Sequence, residues 1–258
     1  MNTKYIDLID QTYHFPQAEF NLKEDTLTFH DIDLMQLVEQ YGAPLKFTYL
    51  PKISNNIQRA KKWFADAIEK NNYKGTYNYC YCTKSSHFKH VLHEALKNDI
   101  HIETSSAFDI NIVENLKAEG KITNQTYVVC NGFKRDQYVK NIARLINEGH
   151  ENCIPVIDNY EEISLLSEEI SGDFKVGIRI ASEEEPKFEF YTSRLGIGYK
   201  NIVPFYEDQI KNNDKVELKM LHFFINTGIR DNAYYWNELV KCLKVYTRLK
   251  KICPTLDS

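Results

Sequence analysis

The stretch Thr76-Tyr-Asn-Tyr-Cys-Tyr-Cys-Thr-Lys-Ser-Ser-His87 alternates like a β-strand and ends in a single lysine. With a period of two, one strand face carries Tyr77, Tyr79, Tyr81 and Thr83, and the other carries Asn78, Cys80, Cys82 and Lys84. Apolar residues at helical spacing follow over 88–96, with Ser85 or Ser86 as the expected N-cap. The pattern predicts a strand, a turn and a helix, with Lys84 at the carboxyl end of the strand.

The position of Lys84 allows two interpretations. Barrels of alternating strands and helices place their chemistry at the carboxyl ends of the strands, and a lysine withdrawn from water can become a neutral amine that attacks a carbonyl carbon. The functional interpretation is therefore a Schiff-base lysine. The alternative is an ordinary solvated lysine, because most lysines are surface charges.

The strand-and-helix unit repeats along the chain. Strands are predicted at 77–83, 100–104, 127–130, 154–157, 174–180 and 216–225. Helices are predicted near 86–98, 107–119, 135–148, 160–170, 202–212 and 233–251. Before this region we predict an irregular stretch over 1–30, a helix over 33–41, a strand over 45–49 and a helix over 51–71. Strict alternation predicts parallel strands joined by crossovers, so the predicted fold class is α/β.

About six βα units are compatible with a doubly wound sheet or with a (β/α)8 TIM-type barrel. A dinucleotide-binding doubly wound sheet has a glycine-rich turn after its first strand, and Cys82-Thr-Lys-Ser-Ser-His87 contains no glycine. The barrel is favoured, but it would be incomplete, because a seventh strand is only beginning at Thr255-Leu-Asp-Ser258. We predict a lead-in over 1–44, a truncated barrel domain over 45–258, and open strand edges on that barrel.

The composition limits the classes of partner. The formal net charge is −4, from 32 basic and 36 acidic residues without a basic stripe, so a small-molecule partner is expected rather than nucleic acid or a membrane. The amino terminus shows no signal-peptide pattern, and the six cysteines form no CxxC pair, which predicts a cytoplasmic protein with reduced, buried thiols. No metal site is expected, because His87, His90 and His93 spread around one helix.

Two further charged residues lie on predicted strands. Glu103 faces away from Ile102 and could reach the mouth of the barrel beside Lys84; the alternative is a cap for the helix near 107. Arg179 shares a strand face with Gly177, whose missing side chain leaves room. An arginine that points into a barrel requires either a buried counter-ion or an anionic ligand oxygen.

The sixth predicted strand supplies the last candidate residues. His222 and Phe224 share one face of this strand, and Asn226-Thr-Gly228 forms a polar turn at its end. Such a turn, with backbone N–H groups and the Thr227 hydroxyl, favours phosphate or another anion.

In their order, these motifs resemble the pyridoxal-phosphate enzymes with an alanine-racemase-like barrel, and among them the biosynthetic arginine decarboxylases. The resemblance runs from about Tyr41 to Ser258. Its motifs are Tyr41-Gly-Ala-Pro-Leu45, Tyr81-Cys-Thr-Lys84, Ile102-Glu-Thr-Ser-Ser106, Cys130-Asn-Gly-Phe-Lys134, Gly177-Ile-Arg-Ile180, Ser193-Arg-Leu-Gly196 and Leu221-His-Phe-Phe-Ile-Asn-Thr227. The motif that begins at Cys130 indicates the arginine branch rather than the ornithine or diaminopimelate branch.

The resemblance implies roles for the candidate residues. Lys84 would hold pyridoxal phosphate as a Schiff base, Glu103 and Arg179 would lie near its ring, and Thr227 would lie near its phosphate. Relatives read His-Phe-His-Leu-Gly-Ser where this chain has His222-Phe-Phe-Ile-Asn-Thr227, so Phe224 replaces the histidine that stacks on the ring. Phe224 can stack but cannot donate a proton.

The activity implied by the resemblance is that of a lyase, a decarboxylase that converts L-arginine to agmatine in polyamine synthesis and acts as a homodimer or a higher homo-oligomer. Ornithine, lysine and diaminopimelate are the alternative substrates. The alternative from another class is a non-catalytic barrel, either a carrier of pyridoxal phosphate or a scaffold. In the family, the glycine-rich phosphate segment, the acidic partner of the ring nitrogen and a β domain follow the barrel, and would lie beyond Ser258. We therefore expect no turnover by these 258 residues alone.

Overall fold

The computed structural model describes residues 19–23, 26–181, 195–224 and 232–258. The chain divides into two compact units, Met1–Tyr49 and Leu50–Ser258. The domain boundary predicted at residue 44 stays a prediction.

The first unit contains a small antiparallel sheet and one helix. The sheet has the order β1-β2-β3, and its strands are Phe20–Lys23 (β1), Thr26–Phe29 (β2) and Ile32–Asp33 (β3). Helix α1, Leu34–Tyr41, begins where the Asp33 carboxylate accepts hydrogen bonds from the N–H groups of Met35 (2.8 Å) and Gln36 (3.0 Å). The predicted helix over 33–41 is confirmed.

Two predictions for the first unit are wrong. Residues 20–23, 26–29 and 32–33 are not irregular but form three antiparallel strands, and the alternation is weak because only Thr28 and Phe29 of these strands are buried. Residues 45–49 are not a strand, since no neighbouring segment in the described part of the chain pairs with them. A β-strand is defined by hydrogen bonds to a neighbouring strand, and the propensity of a segment does not predict whether such a neighbour is present.

The second unit alternates helices and strands. Its strands are Cys80–Cys82 (β4), His101–Thr104 (β5), Val128–Cys130 (β6), Cys153–Ile157 (β7), Phe174–Ala181 (β8), Ile197–Gly198 (β9) and Val216–Phe223 (β10). Its helices are Pro51–Lys70 (α2), Lys89–Leu96 (α3), Ala107–Ala118 (α4), Asp136–Asn147 (α5), Glu162–Glu169 (α6), Ile202–Phe205 (α7) and Asn232–Lys250 (α8). A 3₁₀ turn, Tyr199–Asn201, precedes α7, and a π-helix, Tyr206–Ile210, follows it.

The strands of the second unit form one parallel sheet in the order β10-β8-β7-β6-β5-β4, with β9 added to β8. Each long strand therefore lies beside the one that precedes it in the sequence. A doubly wound sheet instead reverses its order at a switch point, whereas a TIM-type barrel adds its strands successively. The α/β class is confirmed, and the strand order is that of part of a barrel.

The two end strands of this sheet are β4 and β10, so the sheet is not closed within the described residues. The last residues of the chain lie along the outer edge of β10. The N–H groups of Asp257 and Ser258 donate to the Lys219 carbonyl (3.0 and 3.1 Å), and the Leu221 N–H donates to the Ser258 carbonyl (2.9 Å). The bonds around Ser258 are those of a parallel ladder, as predicted for the start of a seventh strand.

The core lies between the sheet and the helices that cover it. All five residues of β7 are buried, as expected for a parallel strand covered on both faces. Helix α5 shows the complementary pattern, with Tyr138, Val139, Ile142 and Leu145 buried on one side. Of the helices in the described ranges, none combines the length and apolar character that crossing a bilayer demands.

Candidate functional site

A tight turn after β4 sets the position of Lys84. Thr83 is buried, and both its N–H (3.0 Å) and its hydroxyl (3.1 Å) donate to the Glu103 carbonyl on β5. The Ser85 N–H donates to the Cys82 carbonyl (3.1 Å), which closes the turn around Lys84. Helix α3 begins only at Lys89, so the prediction of Ser85 or Ser86 as its N-cap is wrong.

The Lys84 amine faces the aromatic ring of Phe224. Its Nζ lies 5.5 Å from the ring centroid, and the guanidinium carbon of Arg179 lies 5.6 Å from the same centroid. Both distances are within cation–π range. Lys84 is exposed, as in the interpretation of a solvated lysine, and the withdrawal from water that the functional interpretation invoked is not observed.

Arg179 points inward and has a buried counter-ion. Its Nη1 lies 3.7 Å from Oδ1 of Asp158, and the side chains are 11% and 0% exposed. Within the described chain, neither Asp158 oxygen has a hydrogen-bond partner, and neither does Arg179 Nε. Burial raises the pKa of Asp158, although the charges of Lys134 and Arg179 oppose that shift.

The room expected beside Gly177 is filled. A Cβ atom at Gly177 would lie 2.5 Å from Cγ of Met220 and 3.4 Å from Cγ2 of Val156. The ladder between β8 and β10 shifts register between Leu218 and Met220. The Met220 side chain therefore occupies the space that glycine leaves.

Asn131, directly after β6, contacts polar groups from three other strands. Its Oδ1 accepts from the Gly132 N–H (2.9 Å) and lies 3.5 Å from Arg179 Nη1. Its Nδ2 donates to Glu103 Oε1 (3.1 Å) and lies 3.5 Å from His222 Nε2. Glu103 is thus turned towards the mouth of the sheet, and the alternative that it caps the helix near 107 is wrong.

His222 is neutral at physiological pH. Burial, together with the positive charges of Arg179, Lys134 and Lys84, lowers the pKa of its imidazole to about 4. Its Nδ1 is buried and, within the described residues, has no hydrogen-bond partner. On β4, burial and then the Glu103 charge raise the pKa of the Cys80 thiol to about 12, so that thiol is neutral as well.

A buried ion pair joins the loops that carry Asn131 and Asp158. Lys134 Nζ donates to the Gly132 carbonyl (3.0 Å), to the Val156 carbonyl and to Glu162 Oε2 (3.1 Å). The Glu162 carboxylate also accepts from the backbone N–H groups of Lys134 (3.0 Å) and Asp158 (2.9 Å). The two side chains are 0% and 1% exposed, so the loops after β6 and β7 are fixed to each other.

The structure brings five predicted site residues to the carboxyl ends of the strands: Lys84, Glu103, Arg179, His222 and Phe224. The sixth, Thr227, lies outside the described residues, as do Ser193 and Arg194 of the motif Ser193-Arg-Leu-Gly196. Asn131 and Asp158 were not among the site residues predicted from the sequence. Each is a polar residue directly after a buried strand, which is the signal that could have identified it.

These residues fit a pyridoxal group. They offer a primary amine for an aldehyde and an aromatic ring for stacking. They also offer buried polar atoms that have no hydrogen-bond partner in the described part of the chain, namely both Asp158 oxygens, Arg179 Nε and His222 Nδ1. A polar aromatic ring that carries an aldehyde matches this set of groups.

Solved structures with a similar fold are decarboxylases. Diaminopimelate decarboxylase from M. jannaschii, in co-complex with L-lysine, superposes with a TM-score of 0.73 at 16% identity, over 91% of this chain and 54% of that one. The biosynthetic arginine decarboxylase of Campylobacter jejuni gives a TM-score of 0.69 at 18% identity, over 93% of this chain and 41% of that one. At these identities the likeness concerns the fold alone.

Curated relatives are longer than this chain. The biosynthetic arginine decarboxylase 2 of Synechocystis is 24% identical over 245 residues, which cover 86% of this chain and 37% of the relative. The biosynthetic arginine decarboxylase of Prochlorococcus marinus strain MIT 9215 is 24% identical over 255 residues, which cover 92% and 38%. The chain thus spans less than two-fifths of the length of these relatives.

The family model that describes the pyridoxal binding domain of pyridoxal-dependent decarboxylases matches residues 52–257. This range holds β4 to β10 and all the residues around Lys84 described above. The chain therefore belongs to the family of the pyridoxal-dependent decarboxylases, through their pyridoxal binding domain.

Proposed function

We propose that Lys84 holds pyridoxal phosphate and that the protein removes the carboxylate of a basic amino acid, with L-arginine as the substrate and agmatine as the product. The observation that carries the proposal is the position of the Lys84 amine, at the carboxyl end of its strand and 5.5 Å from the Phe224 ring centroid. Glu103, Arg179 and His222 surround the same mouth. The motif Cys130-Asn-Gly-Phe-Lys134 favours arginine over ornithine.

The bound cofactor supplies a ring that accepts the electron pair released when the carboxylate leaves as carbon dioxide. The residues of this chain bind and orient. Lys84 would hold the cofactor through its amine, and the neighbouring Phe224 ring would offer an aromatic surface for stacking. Arg179 and Asp158 would offer a hydrogen-bond donor and an acceptor to its polar groups. A neutral His222, with its lowered pKa of about 4, adds no charge beside them.

We propose that Thr227 lies near the cofactor phosphate, where its hydroxyl and the neighbouring N–H groups could donate hydrogen bonds. We also propose a cytoplasmic location and a role in polyamine synthesis. The six cysteines are all free thiols, which supports a reducing compartment. A homodimer is part of the proposal, in which a second subunit would cover the exposed Lys84 and Phe224 (38% exposed).

The cofactor assignment is tested by titrating the chain with pyridoxal phosphate and recording the visible absorbance of a lysine Schiff base. Lys84→Ala is expected to abolish the band. Lys89→Ala is the matched control, because Lys89 is an exposed lysine at the start of α3 and pairs with Glu119 at 2.6 Å. A band of equal strength in Lys84→Ala would contradict the assignment.

A carrier without catalysis is the second candidate, and the observation that favours it is Phe224, which cannot donate a proton. Release of carbon dioxide from arginine, measured with the protein as the cell makes it, separates the two functions. Ornithine, lysine and diaminopimelate are the competing substrates in the same assay. A Schiff-base absorbance that depends on Lys84, without release of carbon dioxide from any of these four amino acids, would favour the carrier.

A further inference from the structure

The amide of Asn131 lies between a carboxylate and a guanidinium. Asn131 Nδ2 donates a hydrogen bond to Glu103 Oε1 (3.1 Å), and Arg179 Nη1 lies 3.5 Å from Asn131 Oδ1. Both residues are at least partly withdrawn from water. Among the residues described, no ion pair joins Glu103 to Arg179, whose carboxylate neighbour is Asp158 at 3.7 Å.

Four contacts agree on one orientation of this amide. The oxygen faces two donors, the Gly132 N–H and Arg179, and the nitrogen faces two acceptors, Glu103 and the Nε2 atom of neutral His222. A flipped amide would place its nitrogen against the two donors and its oxygen against the Glu103 carboxylate. The contacts therefore select the orientation, and they require an acceptor at His222 Nε2.

The backbone around Asn131 is held as firmly as the side chain. The Asn131 N–H donates to the Thr104 carbonyl (2.9 Å), and its carbonyl accepts from the Tyr138 hydroxyl (3.1 Å). Gly132 has a φ of +86°, and a Cβ there would lie 2.9 Å from the Ser105 carbonyl oxygen. Residue 132 must therefore be glycine, and its turn brings its own N–H to Asn131 Oδ1.

An amide is the side chain that this position requires. A carboxylate in its place would face Glu103 with like charge, and an aliphatic side chain would leave Glu103, Arg179 and His222 without these contacts. With the amide present, the two opposite charges are separated and each is fixed. Glu103 and Arg179 therefore do not pair with each other, and the carboxylate that lies beside Arg179 is that of Asp158.

We propose that Asn131 is a positioning residue of the cofactor pocket, which keeps Glu103 and Arg179 apart and directed at the bound ring and keeps His222 Nε2 a hydrogen-bond acceptor. This inference rests on the proposed function, since it assumes that the mouth holds pyridoxal phosphate at Lys84. The loop after β6, which carries Asn131, would thus orient Glu103, Arg179 and His222 around the cofactor.

The first test needs no cofactor. The titration of His222 is followed by NMR in the wild-type chain and in Asn131→Asp. The charges that act on His222 are those of Arg179, Lys134 and Lys84, and Glu103 shares the Asn131 amide with it. A carboxylate at 131 could accept a hydrogen bond from protonated Nε2, so the midpoint of the titration should rise by about one pH unit or more. An unmoved midpoint would contradict the inference.

The second test is the affinity for pyridoxal phosphate, measured by the Schiff-base absorbance. Asn131→Leu is expected to weaken binding by about tenfold or more, the effect of losing one charge-assisted hydrogen bond. The matched control is Asn147→Leu. Asn147 also bonds through both ends of its amide, to the Glu169 carbonyl (3.1 Å) and the Ser171 N–H (3.0 Å), but at the far end of α5. It should lose stability without losing affinity.

The outcomes separate this inference from the proposed function. If the wild-type chain shows no absorbance that depends on Lys84, the proposed function fails, and the His222 titration alone decides the part played by the amide. If the wild-type chain binds and Asn131→Leu binds within about twofold of it, the inference is wrong. If Asn131→Leu does not fold by circular dichroism, Asn131→Ser, which is smaller and polar, replaces it, with the same loss of affinity expected.

Discussion

Replacing Lys134 by methionine should destabilise the second unit strongly. The Lys134 side chain is 0% exposed and its amine bonds two carbonyl oxygens and Glu162, whose side chain is 1% exposed. Methionine has a similar shape but no charge, so Glu162 would keep a buried carboxylate without its cation. Removing one partner of a buried ion pair lowers the free energy of unfolding by about 3–5 kcal/mol.

For a chain of this length, that loss corresponds to a fall in Tm of roughly 6–20 °C. The assay is thermal unfolding followed by circular dichroism at neutral pH. Lys89→Met is the matched control, because it breaks an exposed ion pair with Glu119 that water and salt screen, and its Tm should stay close to that of the wild type.

A fall in Tm no larger than that of the control would refute the reasoning, because the pair would then behave as a surface pair. A second measurement links the pair to the site. Lys134 Nζ holds the Gly132 carbonyl, next to Asn131, and the Glu162 carboxylate holds the Asp158 N–H. Lys134→Met should therefore also weaken the binding of pyridoxal phosphate at temperatures where it remains folded.

Three further predictions follow from the same geometry. The pKa of His222 is about 4 in the folded chain, below its ordinary 6.5, so the unfolded chain binds more protons between these pH values. The free energy of unfolding should therefore fall as the pH falls through this window. Denaturant titrations from pH 7 downward should show a smaller fall for His222→Gln, and an equal fall would contradict the lowered pKa. Gly177→Ala places a Cβ 2.5 Å from Met220 Cγ and should lower the free energy of unfolding by about 1–3 kcal/mol. Adding Met220→Ala should remove the clash. If the stability losses of the two substitutions simply add in thermal unfolding, the clash is refuted. Phe224→Ala removes the ring beside Lys84 and should weaken binding of pyridoxal phosphate by about tenfold, whereas Phe224→His should retain most of the affinity; equal dissociation constants for all three proteins would mean that the ring does not contact the cofactor.

The alternation of strands and helices was predictable because parallel strands that are buried on both faces appear in the sequence as short apolar runs. Strand β7, all five residues of which are buried, is the clearest example. The register between strands was not predicted; in the structure Cys82 is the ladder partner of Glu103. The hairpin over 20–29 was missed because few of its residues are buried, and burial rather than propensity produces the alternation.

The site was predictable in part, for a different reason. Lys84, Glu103 and Arg179 stand out because a charge at a strand end is conspicuous. Asn131 and Asp158 are residue types that are common in loops, so the sequence does not single them out. Their importance comes from contacts with residues far along the chain, such as Arg179 on β8. The filling of the space at Gly177 was not predictable, because it depends on a register shift in β10.

The central claim is that the Lys84 amine is the group that binds pyridoxal phosphate. The most direct measurement is reduction of the loaded chain with borohydride, followed by digestion and mass spectrometry of the peptides. The account predicts the added mass of the pyridoxyl group on Lys84 and on no other lysine at comparable yield. Label on Lys89, Lys134 or another lysine, with Lys84 unmodified, would contradict it.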